Sequence, residues 1–279
     1  WEDVPTEQKP LFVRLMAAYA AMLEHFDENL ARVIKQLEVS GQLDNTVIMV
    51  MSDNGASQEG GPWGFINAMG PFNLIPESIE EKIAKVGDIG GPDTHSNFPW
   101  GWAMASNTPL KRYKQNTHGG GIRDPLVVSW PAKIPTDGSI RKQFCHVSDL
   151  NPTILDLINI PAAKVDESAD VGTVGVSFAS SLTDAKADTG KTTQYFEMFG
   201  NRAIYYNGWI ASCFHGRVPW NRFGTVPFDG PQEKWELYNI AEDFSQGVDL
   251  SAQFPDKLAE LLQLFDSEAK RNNVYPLRE

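Results

Sequence analysis

The chain has 279 residues, of which 42% are hydrophobic, and a formal net charge of −12 at pH 7. This length and hydrophobic content allow a sizeable core and exclude a disordered chain. The acidic balance leaves no basic face for a phosphate backbone, so we expect no nucleic-acid partner. No run approaches the roughly 18 apolar residues of a membrane span, so we expect no membrane partner either.

The first predicted element is a long amphipathic helix. Apolar residues recur at three- and four-residue steps from Leu11 to Leu37, and Gly41 ends the pattern. The apolar run 47–51 then predicts a buried strand that carries Asp53 and Asn54 at its end. A helix followed by a buried strand of the parallel type is typical of an α/β layer architecture.

The amino-acid composition changes in the next part of the chain. Residues 55–108 are rich in glycine, proline and aromatic side chains, which predicts a long ordered loop with a short helix near 78–86. A second buried strand is predicted over 126–130, and a helix over 148–160. The polar segment 166–190 is a plausible crossing between subregions.

The last third has the pattern of a small antiparallel sheet with one helix. Strand-like pieces lie at 194–199, 203–206, 209–214 and 235–238. The dipeptide Asn207-Gly208 is a strong hairpin signal, and 255–271 is an amphipathic helix. We therefore predict two domains, a main α/β domain over 1–190 and a small α+β subdomain over 191–279.

Two side chains at the end of the first strand are candidate metal ligands. Asp53 and Asn54 supply a carboxylate and an amide oxygen on adjacent residues, which suits calcium or magnesium better than zinc. Asp-Asn-Gly is also an ordinary turn sequence. On the tripeptide alone, both interpretations stay open.

A basic cluster lies further along this acidic chain, within residues 107–125. Its charged or ionisable residues are Lys111, Arg112, Lys114, His118 and Arg123, and its glycines are Gly119, Gly120 and Gly121. Cations beside glycines suit an anionic ligand, because the backbone can approach the ligand closely. A solvated basic turn is the alternative, and His118 fits either a proton donor or a structural residue.

Taken together, the two clusters resemble the sulfatase family. A buried strand that ends in Ser-Asp-Asn-Gly is followed by the pattern Lys-x-x-Thr-x-x-Gly-Gly-Ile-Arg-x-Pro, which runs here from Lys114 to Pro125. The resemblance also covers 127–132, 146–157, 175–178, 197–202 and 235–238. The chain is similar above all to bacterial arylsulfatases that have an extended aromatic loop after Asp-Asn-Gly.

The resemblance implies a fold, a cofactor and residue roles. The fold would be an alkaline-phosphatase-like α/β sandwich, of which 1–190 would be the C-terminal part. Calcium, or alternatively magnesium or manganese, would be bound by Asp53 and Asn54. Lys114 would contact the sulfate and stabilise charge as the sulfur–oxygen bond breaks. His118 is a weaker candidate for substrate binding.

The sequence also departs from the family pattern. The family's nucleophile is a formylglycine made from the first residue of Cys/Ser-x-Pro/Ala-x-Arg, upstream of the Asp-Asn pair. Near-matches begin at Cys213 and Ser129, but both lie downstream of Asp53 and each breaks the signature. Gly119 stands where many relatives carry Glu or Gln. We therefore expect a C-terminal portion that is inactive alone, with the formylglycine in a missing N-terminal half.

The function expected from the resemblance is hydrolysis of a small-molecule sulfate ester of the aryl type. The alternatives are a phosphodiesterase or phosphonate hydrolase of the same superfamily, and a non-catalytic remnant. The sequence predicts a soluble chain but gives no cellular address, and a bacterial periplasm or cytoplasm would both fit. An exposed sheet edge would allow a homo-oligomer.

Overall fold

The computed structural model describes residues 1–161, 175–218, 226–228 and 233–278. They belong to two compact units whose segments alternate along the chain. The larger unit comprises Trp1–Val33, Ser52–Pro125 and Tyr195–Glu279, and the smaller comprises Ile34–Met51 and Leu126–Gln194. The predicted subdomain 191–279 thus lies, from Tyr195 onward, in the larger unit.

The predicted N-terminal helix is confirmed as α1, Lys9–Val39, and Gly41 follows it with a φ of +70°. Its first turns are the buried ones, because Leu11, Phe12 and Leu15 pack with Ile89, Phe98 and Ala103 of the larger unit. No described helix has the length and apolar content needed to cross a membrane.

The loop 55–108 is ordered by short helices, which are α2 (Met69–Phe72), α3 (Ile79–Ala84) and α4 (Trp100–Ser106). The predicted helix near 78–86 is confirmed as α3, which begins with a Ser78–Glu81 capping box. The sequence did not predict α4, because a Trp-Gly-Trp start has low helix propensity. Tertiary contact supports this helix: the Trp102 indole donates to the Phe12 carbonyl at 2.9 Å.

The C-terminal sheet has the order β3-β4-β5-β6. Its strands are β3 (Thr193–Met198), β4 (Asn201–Tyr206), β5 (Trp209–Cys213) and β6 (Trp235–Asn239). The pairs β4–β5 and β5–β6 are antiparallel, and the first is joined at Asn207-Gly208, whose φ angles are 47° and 86°. The closing helix, here numbered α8 (Pro255–Arg271), packs Leu261, Phe265 and Ala269 against this sheet. The predicted antiparallel sheet with one helix is confirmed.

Among the described residues, the other α-helices and β-strands are α5 (Gly119–Ile122) in the larger unit and, in the smaller unit, β1 (Ile48–Met51), β2 (Leu126–Ser129), α6 (Leu150–Leu157) and α7 (Ala179–Thr183). The prediction of a buried, parallel-type strand was wrong. β1 pairs antiparallel with β2, its residues are at most half-buried, and Met51 is 41% exposed. An apolar run does not report pairing direction, and in a strand only alternate side chains face a core that covers one side.

The buried Asp149 carboxylate organises part of the smaller unit. It accepts hydrogen bonds from the backbone N–H groups of His146 (2.7 Å) and Val176 (2.9 Å), and from Lys191 Nζ at 3.1 Å. The side chains of Lys191 and Asp149 are only 6% and 1% exposed. Three chain segments therefore meet on one charge. Part of the polar segment 166–190 lies outside the described residues, which resume at Gly175.

We predict that Asp149→Asn strongly destabilises the chain. The amide cannot neutralise Lys191, and breaking one side of a buried ion pair costs about 3 kcal/mol. Urea unfolding would measure this loss. Asp266→Asn is the control, because its pair with Lys270 is exposed, and its unfolding midpoint should stay close to wild type. Equal midpoints for both variants would contradict the role of Asp149.

Candidate functional site

The Asp53-Asn54 pair lies at the start of a loop that leaves a strand end. Ser52 N donates to Pro125 O at 3.3 Å, and Ser52 Oγ donates to Asn54 O at 2.8 Å. Asp53 is exposed and Asn54 is half-buried. Hydrogen bonds therefore fix the backbone on both sides of the pair. The exposed Asp53 carboxylate is held on an ordered turn and is accessible to a ligand.

Backbone packing brings this turn against the glycine-rich segment. A Cβ on Gly55 would lie 1.7 Å from Gly120 O, so the two chains approach at a distance that only glycine permits. Asn107 spans the contact: its Oδ1 accepts from Ala56 N at 3.1 Å, and its Nδ2 donates to Gly120 O at 2.9 Å. The structure thus joins the two clusters that the sequence predicted separately.

Lys114 is fixed at both its backbone and its ammonium. Lys114 N donates to Ala56 O at 3.1 Å, and Nζ lies 2.9 Å from Glu59 Oε2. The other oxygen of Glu59 accepts from Gln115 Nε2 at 2.9 Å. The Lys114 side chain is 29% exposed. The candidate sulfate contact is therefore a partly buried cation with a carboxylate partner, which the sequence reasoning missed.

His118 is fully buried, and its Nε2 lies 2.6 Å from Glu236 Oε2. Lys111 Nζ lies 3.3 Å from both oxygens of the same carboxylate and donates to Tyr238 Oη at 2.7 Å. The His118 Nδ1 has no hydrogen-bond partner within the described part of the chain. This histidine therefore faces the C-terminal sheet.

The charge states in this cluster follow from burial and from its hydrogen bonds. Burial lowers the pKa of His118 despite the bond to Glu236, so the imidazole is neutral at pH 7 and Nε2–H donates. Burial alone would raise the pKa of Glu236, but hydrogen bonds from His118 and Tyr238 outweigh it and lower that pKa to about 2. Glu236 is therefore an ionised carboxylate that accepts hydrogen bonds.

A second carboxyl group, Asp124, interacts with Asp53. Burial, and secondly the charge of Asp53, raise the pKa of Asp124 to about 6. Asp53, Asn54 and Asp124 offer hard oxygen donors with excess negative charge, and this chemistry fits a divalent cation such as calcium. Among the residues that the structure describes, no group of three or more His, Cys, Asp or Glu is arranged to hold a metal. The donor type fits, but the described ligand set is incomplete.

Comparison with known proteins identifies the family. The family described as Sulfatase matches residues 2–160. The chain belongs to the sulfatase family. An uncharacterized sulfatase from Schizosaccharomyces pombe is 32% identical to this sulfatase chain over 273 residues, which are 94% of the chain and 45% of that protein. An arylsulfatase from Klebsiella aerogenes is 26% identical over 188 residues, which are 67% of the chain and 38% of that protein.

Solved structures show the same fold. A sulfatase from Pseudoalteromonas sp. superposes with a TM-score of 0.58 at 18% identity, over 93% of this chain and 43% of that one. The predicted fold class, an alkaline-phosphatase-like α/β arrangement with a small antiparallel sheet, is thereby confirmed. The sulfatase chain spans less than half the length of these relatives.

The near-match to the nucleophile signature does not form a reactive thiol. Cys213 is buried, its Sγ lies 3.6 Å from Arg202 Nη2, and burial raises its pKa. Arg202 is paired in turn with Glu233 at 2.7 Å. Since a reactive cysteine needs a thiolate, this environment favours a structural cysteine.

We predict that Asp124 makes the metal-free sulfatase chain less stable as pH rises. A carboxyl whose folded pKa is about 6 and whose ordinary value is 3.8 binds its proton more tightly when folded. Stability is therefore lost between about pH 4 and 6, by roughly 1–2 kcal/mol after discounting for solvent screening. Asp124→Asn should remove this pH dependence, and Asp53→Asn should reduce it. Thermal melts across this range, in a chelator, would show it, and identical profiles for all three proteins would contradict the coupling.

Proposed function

We propose that this chain supplies the cation ligands and the sulfate-binding ammonium of a sulfuric ester hydrolase. The observation that carries the proposal is the Gly55–Gly120 contact, which joins the Asp53-Asn54 turn to the Lys114 segment. Anionic oxygen would there meet both a metal site and an ammonium. Because the chain spans less than half of its relatives, the activity is proposed for a polypeptide that also covers the rest of their length.

The proposed reaction cleaves a sulfate monoester with water to give an alcohol or phenol and sulfate. Lys114 would contact a sulfate oxygen and offset the negative charge that develops as the sulfur–oxygen bond breaks. The Asp53 carboxylate and the Asn54 Oδ1 would hold calcium, which would polarise the sulfate. The formylglycine nucleophile would lie in a region that corresponds to the part of the relatives not covered by this chain.

The proposal includes an aryl substrate. Trp63 and Trp100 of the loop 55–108 are 47% and 40% exposed and lie in the same compact unit as Lys114. Exposed indole surface suits an aromatic leaving group, and one face of Trp63 already stacks on Phe12. Phe65 and Phe98 of the same loop are in the core and hold it in place.

We predict that Lys114→Ala lowers kcat/KM for a chromogenic aryl sulfate by about 10²–10³ fold in a polypeptide extended upstream to include the formylglycine. The loss should fall mainly on kcat, because the ammonium acts on charge that develops in the transition state. Lys142→Ala, at an exposed position, is the matched control and should retain activity. Unchanged kcat/KM in Lys114→Ala would overturn the assigned role. Faster turnover of a phosphate ester than of the sulfate would instead favour a phosphoester hydrolase.

We predict that the present chain binds calcium only weakly, with a Kd of about 1 mM or above, because its described ligand set is incomplete. Isothermal titration calorimetry would measure this affinity, and Asp53→Asn should abolish the binding that remains. Asp256→Asn, an exposed carboxylate in the first turn of α8, is the control. Micromolar binding that survives in Asp53→Asn would mean that calcium is held elsewhere.

A further inference from the structure

We propose that Glu236, on strand β6, is a positioning residue that fixes the segment carrying Lys114. The segment is defined here as residues 111–119 and is called the lysine segment. This inference rests on the proposed role of Lys114, and it gives the C-terminal sheet a role in the candidate site. That sheet would hold the lysine segment in register with the Asp53-Asn54 turn.

The Glu236 carboxylate ties the lysine segment on both sides of Lys114. Lys111, three residues before, and His118, four residues after, both reach the same carboxylate, at 3.3 Å and 2.6 Å. The backbone between them is closed by a hydrogen bond from Gly120 N to Lys111 O at 2.7 Å. Lys114 is therefore near the middle of a loop whose two ends converge on one anion.

Other residues of the C-terminal region hold the backbone of the same segment. Asn201 Nδ2 donates to Gln115 O at 2.8 Å, and Ser212 Oγ donates to Thr117 O at 3.3 Å. Gly119 N donates to Gln246 Oε1 at 2.6 Å, in a fully buried contact. These bonds hold the backbone of the lysine segment, while Glu236 forms the ion pair with its Lys111 side chain.

The lysine segment needs such an anchor because its backbone is strained. Arg112 and Gln115 have φ angles of +70° and +69°, in the left-handed region that residues with a Cβ rarely adopt. Such residues persist only where surrounding contacts over-determine the conformation. They flank Lys114 on both sides, so relaxation of either would move its ammonium relative to Glu59 and Asp53.

The first test measures, in the present chain, how strongly Glu236 holds the lysine segment in place. Glu236→Gln keeps the side-chain size and removes the charge that binds Lys111. Amide hydrogen exchange by mass spectrometry should show exchange in the lysine segment at least about tenfold faster, with protection of α8 unchanged. Glu260→Gln, which removes a partly exposed pair with Lys257 on α8, is the matched control and should leave the segment protected. Unchanged exchange in Glu236→Gln overturns the proposal.

His118 provides a second pair of variants should Glu236→Gln fail to fold. His118→Gln retains an N–H near the position of Nε2, and exchange in the lysine segment should stay slow. His118→Ala loses this donor and should speed that exchange about tenfold. Equal exchange in the two variants would show that the contact with Glu236 does not position the segment.

The second test separates positioning from general stability by comparing variants with Lys114→Ala in the extended, active polypeptide. Glu236→Gln should lower kcat for the aryl sulfate about tenfold when Lys114 is present, and should cause no further loss in Lys114→Ala. If the kcat losses of Glu236→Gln and Lys114→Ala multiplied in the double variant, the positioning role of Glu236 would be overturned. An extended polypeptide without sulfatase activity would refute the proposed function instead, and the exchange experiment would still decide whether Glu236 fixes the segment.

Discussion

The close backbone contact between Gly55 and Gly120 is the constraint on which the candidate site depends. A Cβ on Gly55 would lie 1.7 Å from Gly120 O, and one on Gly120 would lie 2.1 Å from Arg112 O. A side chain at Gly55 would separate the Asp53 turn from Gly120, and a side chain at Gly120 would instead distort the Lys111-Arg112 backbone within the segment that carries Lys114. The glycines are thus required by packing at the point where a metal site and an anion site would share one ligand.

Cations are held at the candidate anion site of this acidic chain by ion pairs and by contacts with aromatic rings. Each cation near Lys114 has a partner in the larger unit. Lys114 pairs with Glu59, and Lys111 pairs with Glu236. Arg112 and Arg123 stack on Phe214 and Phe244 at 3.7 Å and 3.8 Å. An anionic ligand at Lys114 would therefore compete with Glu59, which favours ligands that also bind a metal ion.

Elements with a strong local signal were predictable from the sequence. Helix α8 begins and ends where its periodicity predicts, and the Asn207-Gly208 turn joins β4 to β5. The helix α4 and the antiparallel pairing of β1 with β2 were not predictable. Their signals are a tryptophan side chain bound to a distant carbonyl and the direction of a partner strand, neither of which is encoded in the local pattern.

The sequence by itself determined the chemistry available to the site: two oxygen donors after a strand, a lysine at a fixed spacing from Gly-Gly-Ile-Arg, and the family that this pattern resembles. Only the tertiary structure decided which groups act together. Glu59 is 55 residues from Lys114, and Glu236 is 118 residues from His118. Each carboxylate is so far along the chain from its partner that no sequence pattern reveals the pair. Their pairing depends on how the loop and the C-terminal sheet pack around the lysine segment, because a buried charge needs a partner in space and not in sequence.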